Sequence, residues 1–202
     1  EAALAYEEVT RRYKDAREFA SQAALGMVKC FQFLRTKAPN NYDATQYQKA
    51  LEYLKTNFPD SGKGVAPFLL AREQQEDGKF EEAAKNYELV PPEGAKLYDE
   101  SLYAGALCRY LQAKSLLREK KDAKGALSTA ENNLRKAIES FAREEGIPDD
   151  RKKIRKELDA ETRFILCDVL LLDAVNKPDQ VLTLMEKADQ AYEGNADRLS
   201  RA

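Results

Sequence analysis

No histidine occurs anywhere in the 202 residues, which removes the side chain most often used as a general base and as a metal ligand. A serine or cysteine nucleophile activated by imidazole is excluded with it. Carboxylate-only catalysis would have to come from Glu81-Glu82, Glu144-Glu145 or Asp149-Asp150. These pairs are adjacent in sequence, so on a helix they point to different sides or sit at its start, where they are solvated or complement the dipole. Cys30, Cys108 and Cys167 lie far apart in apolar helical contexts. Their spacing gives neither a disulfide framework nor a zinc motif, and it predicts buried small hydrophobes in a reducing compartment. No glycine-rich phosphate loop is present. The chemistry-bearing residues therefore predict no enzyme, no cofactor and no metal site.

The densest charged run is Arg151-Lys152-Lys153-Ile154-Arg155-Lys156, a pattern that can touch a phosphate backbone or an acidic peptide. Asp149, Asp150, Glu157 and Asp159 flank it and nearly cancel its charge, and no aromatic residue is interleaved for base stacking. The expectation is a solvated helix face. The whole chain repeats this balance, since 33 basic residues meet 35 acidic ones for a formal charge of -2. That excludes a general electrostatic grip on nucleic acid or an anionic membrane. No run of eighteen apolar residues occurs, so no segment is expected to span a membrane.

The elements that must position any site are helices. Ala71 and Gly105 are small residues 34 positions apart, and a helical hairpin signature lies between them. Asp77-Gly78 supplies a turn, because glycine takes the left-handed conformation that ends a helix at little steric cost. Phe80, Ala83, Ala84, Tyr87 and Val90 recur at three- and four-residue spacing and form one helical stripe. Pro91-Pro92 stops it, lacking the donor to continue. One such pair cannot bury its own apolar faces, so the pairs must stack.

A period of 34 built from helix, glycine turn, helix and small-residue return resembles the tetratricopeptide repeat. The resemblance is best over residues 43–118, where Ala50 to Ala83 is a step of 33. It is diverged over 1–42 and 119–202, where the step from Ala83 to Ala126 stretches to 43. It implies an all-α, α-α superhelix of about nine helices, a single elongated domain over residues 1–202. Gly26, in the middle of a helix expected at about 16–35, costs roughly 1 kcal/mol against alanine, which close helix packing would explain. Thr36 to Thr45 reads as a loop.

Phe58-Pro59-Asp60-Ser61, after the stripe Tyr47, Ala50, Leu51 and Leu54, is similar to the variant found in bacterial envelope tetratricopeptide proteins of the outer-membrane assembly lipoprotein and Tol-associated periplasmic types. Residues 1–8 have no basic start and no long apolar core and read as the middle of a helix. They predict a piece of a longer or processed protein, in the cytoplasm or in a bacterial periplasm or envelope.

In this family the first helix of each pair lines a concave surface where partner segments lie. Carried over by position, that surface takes Val65, Phe68, Leu69, Arg72, Gln75 and Glu76, then Asp99, Leu102, Tyr103, Ala106, Arg109 and Tyr110, and by overlay Arg163, Phe164, Cys167 and Leu170. The partner-binding expectation centres on Phe68, Leu69, Arg72, Tyr103, Arg109 and Arg163. Two readings follow. In one the protein is an interaction scaffold for a protein or peptide partner, and in the other it is a structural segment of a longer solenoid whose helices mainly support their neighbours.

Overall fold

Helix starts and stops are set by local chemistry that the backbone makes visible. A computed structural model describes residues 1–37, 40–58, 64–143, 145–172 and 175–192, with side chains to residue 185. The described residues form nine α-helices and no strand: α1 (Ala2–Arg12), α2 (Arg17–Lys37), α3 (Asn41–Asn57), α4 (Val65–Glu76), α5 (Phe80–Tyr87), α6 (Lys96–Arg118), α7 (Lys124–Phe141), α8 (Asp149–Leu171) and α9 (Asp179–Tyr192). A single 3-10 turn, Pro92–Gly94, separates α5 from α6.

The α4–α5 turn closes as the sequence implies. Gly78 sits at φ 75°, its N–H donates to the Gln75 carbonyl at 3.1 Å, and the Lys79 N–H donates to the Gln74 carbonyl at 2.8 Å. This double reach-back satisfies the last carbonyls of α4. The end of α6 repeats the pattern without glycine, since Lys120 takes φ 55° while Lys121 N–H reaches the Leu116 carbonyl at 2.9 Å. Asn176 also has positive φ, 49°. Its N–H bonds the Leu172 carbonyl at 2.9 Å, so it closes the turn after α8 and is not the residue that starts α9.

The loop expected over 36–45 is much shorter. Residue Asn40 caps α3, its side-chain oxygen accepting the Asp43 N–H at 2.8 Å, so helix resumes at Asn41. An asparagine ahead of an acidic third residue is a start signal that outweighs the two consecutive asparagines read as a loop. Pro59, Asp60 and Ser61 lie outside the described residues.

Consecutive helices pack on one another along most of the chain, and α6 additionally contacts both α4 and α8. Three apolar clusters follow the chain. Leu51, Leu54, Val28 and Leu70 centre the first, between α2, α3 and α4. Phe68, Ala71, Ala83, Ala84, Tyr87 and Cys108 form the second, at α4, α5 and α6. Leu127, Leu134, Leu166, Val169 and Leu170 form the third, with Val181 and Leu184 of α9 laid against it. Leu69 touches both the first and the second.

Small residues bring the helices close where the sequence reading placed them. Ala83 is fully buried. A Cβ at Gly105 would stand 3.2 Å from Tyr87 Cβ, and one at Gly26 would meet the Tyr6 ring at 2.7 Å. The alternate helices are tied by polar bonds as well. Arg35 of α2 pairs with Glu73 of α4, and Tyr110 of α6 donates to Asp168 of α8 at 3.0 Å.

The run Arg151 to Lys156 is only partly a solvated face. Lys153 and Lys156 are exposed, but Arg151 makes two hydrogen bonds to Asp99, at 2.5 and 3.0 Å. Arg155 is buried, donates to the Ser140 carbonyl, and lies 3.9 Å from the same carboxylate. The expectation fails there because α8 turns these two residues toward α6, where Asp99 is 1% exposed. Hydrogen bonding to Asp99 raises the Arg151 pKa still further.

Candidate functional site

A recess of about 520 Å³ opens between alternate helices. Its lining comes from Phe68, Arg72, Gln75 and Glu76 of α4, Tyr87 of α5, Glu100, Tyr103 and Ala104 of α6, and Leu158 of α8. Three- and four-residue spacing within α4 and within α6 puts each set on one helical face. The volume lies in the range of ligand sites.

The wall is preorganised by aromatic packing. Phe68 is buried and meets Tyr87 edge to face, with ring centroids 5.7 Å apart. The Tyr87 hydroxyl donates to Gln75 Oε1 at 2.8 Å, which fixes both side chains. Burial pushes the Tyr87 phenol above its ordinary range, so it remains a donor through neutral pH. At the rim, Glu76 stands 3.6 Å from Arg35 and Glu100 stands 3.8 Å from Lys96. Arg72 is exposed and makes no ion pair among the described residues. The rim thus presents an exposed guanidinium fork, with the Glu76 carboxylate one helical turn along the same face. No ion pair among the described residues crosses from α4 to α6.

The structure brings together three of the six residues expected to contact a partner, Phe68, Arg72 and Tyr103. Leu69 is half-buried between two cores and does not line the recess. Arg109 lies six positions beyond Tyr103, which rotates it by roughly 120° about α6. It faces α5 instead, pairs with Glu88 at 3.0 Å, and is mostly covered, its Nε left without an acceptor. Arg163 is 8% exposed and holds Asp159 of its own helix at 2.8 and 3.1 Å.

Several wider positions are interior as well, namely Asp99, Ala106, Tyr110, Cys167 and Leu170. Tyr87, Glu100, Ala104 and Leu158 were missed. Glu100 and Ala104 were reachable by stepping three back and one forward from Tyr103; Leu158 carries no signal of its own.

A second recess, of about 540 Å³, lies between α1, α2 and α3, with Met27, Phe31 and Tyr53 in its lining and Lys14 and Lys49 among its charges. The sequence placed no site there. Among the described residues no cluster of acidic, cysteine or histidine side chains is arranged to hold a metal ion, and no helix is long and apolar enough to cross a membrane. Comparison with protein-family models, with curated proteins and with solved structures finds no match to this chain.

Proposed function

We propose that the protein is an interaction module of tetratricopeptide-repeat type that seats a segment of a protein partner in the recess between α4, α6 and α8. The observation that carries this reading is that alternate helices, the ones expected to form a concave face, converge on one open recess with Arg72 at its rim. Tyr103, half-buried, offers aromatic surface with few rotatable bonds over a floor set by the buried Phe68 and Tyr87, and arginine and tyrosine dominate binding hot spots. A guanidinium fork takes an acidic side chain or a terminal carboxylate in two parallel hydrogen bonds.

Peptides selected by display against the folded protein test the reading. Selected sequences should carry a carboxylate near an apolar anchor and should lose binding when Arg72 and Tyr103 are replaced by alanine. Peptides that bind the double variant equally well would refute the recess as the site. The second reading, a segment that mainly supports neighbouring helices, draws on the exposed Leu4, Tyr13, Phe19 and Phe33 of the first part of the chain. It predicts that no selected peptide maps to the recess.

A further inference from the structure

The buried joint between α6 and α8 contains one carboxylate, Asp99, against two guanidiniums, Arg151 and Arg155. Arg155 is 6% exposed. One of its terminal nitrogens reaches the Ser140 carbonyl, but its Nε has no hydrogen-bond acceptor. The same side chain lines a small depression at the corner where α7 ends and α8 begins. Arg143, Lys152 and Lys156 line it too, with Phe141 and Ile147 as apolar walls. Four cations therefore converge, and no carboxylate is among the described lining residues.

Lys152, Arg155 and Lys156 share one face of α8 by their spacing, and Arg143 comes from the turn after α7, its N–H held by the Ser140 carbonyl at 3.2 Å. Lys152 is already engaged by Asp149 at 3.0 Å, a residue whose side chain is 96% exposed. Arg143 and Lys156 are exposed and make no ion pair among the described residues.

We infer that this corner binds the phosphoryl group of a small phosphate monoester, with Arg143 and Lys156 clasping its oxygens over Arg155. The depression holds only about 10 Å³, roughly one oxygen-sized probe, so one phosphoryl oxygen enters and the carrier remains outside against the half-buried Ile147. A dianion suits the place because like charges converge on a buried guanidinium whose own carboxylate is shared. Nucleic acid is disfavoured: the acidic residues flanking the run cancel its wider field, and the aromatic lining residue, Phe141, is 5% exposed and gives no stacking platform.

The test is titration of the whole chain, followed by amide NMR shifts and calorimetry, with inorganic phosphate, glycerol 3-phosphate and a single-stranded oligonucleotide, at ionic strength matched with sodium chloride. Phosphate and the monoester should give saturable shifts at Arg143 and Lys152 to Lys156. The Arg143→Ala/Lys156→Ala variant, which leaves Arg155 and Asp99 in place, should keep the wild-type melting temperature and bind on the order of tenfold more weakly. Lys156→Gln alone, a milder change, should fall between. Tighter binding of glycerol 3-phosphate than of inorganic phosphate would identify the monoester as the ligand form, and equal binding would identify the free anion. Absence of saturation, equal binding by the variants, or an oligonucleotide that outcompetes both small probes would overturn the inference.

Discussion

Helix α6 meets its two alternate neighbours in opposite ways. Toward α8 it is closed by charge, with Asp99 held by Arg151 and approached by Arg155, and with Tyr110 bonded to Asp168 farther along. Toward α4 no ion pair crosses among the described residues, and a recess stays open over Phe68, Tyr87 and Tyr103. A buried carboxylate with two arginines adds little net stability over an apolar contact, yet it leaves uncompensated charges if one member goes. It therefore fixes how α8 sits on α6. The other side, built on small residues and the Phe68–Tyr87 pair, has no crossing ion pair of this kind among the described residues.

The largest effect should come from the closed side. Asp99→Ala would leave the buried Arg155 and the half-buried Arg151 without their carboxylate and should destabilise by about 3–5 kcal/mol in urea unfolding. A loss below about 1 kcal/mol would show that solvent already screens the joint.

Gly64 tests how α4 is placed for the open side. It has φ 90°, and a Cβ there would meet Pro91 Cδ at 2.7 Å and Val90 Cα at 3.2 Å. Backbone strain and overpacking together should make Gly64→Ala cost about 2–4 kcal/mol. Gly105→Leu comes next, at about 1–3 kcal/mol. Its side chain would push on Tyr87, so this variant should also lose recess binding, while Asp99→Asn, if folded, should retain it. Denaturation curves and peptide titrations on the same samples separate the two effects.

Both sides of α6, and the α2–α4 core with Tyr47, share a dependence on buried protons. Burial pushes the Cys108 thiol from 9.0 up to about 12, and burial, followed by nearby Glu73, pushes the Tyr47 phenol from 10.0 up to about 12. Tyr87 and Tyr110 shift in the same direction, chiefly through burial, Tyr110 also through its bond to Asp168. Below about pH 8 folded and unfolded chains both hold these protons, and stability is intact. Between there and about pH 12 the unfolded chain gives up protons that the fold retains, so stability falls as pH rises. The slope is up to about 1.4 kcal/mol per pH unit for each group whose proton only the fold keeps. Urea midpoints measured from pH 8 to 11 should decline, and a flat profile would mean that these groups are wetter than their contacts imply.

What the sequence disclosed follows interaction range. The break between α5 and α6 was legible because Pro91-Pro92 cannot continue a helix, although α5 already ends at Tyr87. Gly78 announced its turn by residue type, whereas Lys120 did the same backbone work with a side chain that gives no such signal. Phe68, Arg72 and Tyr103 were set on one surface by the family resemblance, and they line one recess in the fold. Arg109 was misplaced because a step of six residues does not return to the same face. The Asp99–Arg151 pair was invisible, as its members are 52 residues apart and each has nearer charges of opposite sign.

The smallest change in stability should come from Arg72, and it is the most informative about the open side. Arg72 is exposed and unmatched by any ion pair among the described residues, so Arg72→Ala should alter unfolding free energy by no more than about 0.5 kcal/mol. If its guanidinium meets a partner carboxylate, the same variant should weaken a recess-binding peptide by more than about 1 kcal/mol. Arg72→Lys discriminates further, because an ammonium keeps the charge but cannot offer two parallel donors. Recovery of binding by lysine would mean that Arg72 acts through its field. Failure of lysine to restore binding, with the fold unchanged, would show that the fork itself is read. Loss of stability in Arg72→Ala would instead place this side chain in the packing of α4, and the contrast between the locked and open sides of α6 would lose its sharpest edge.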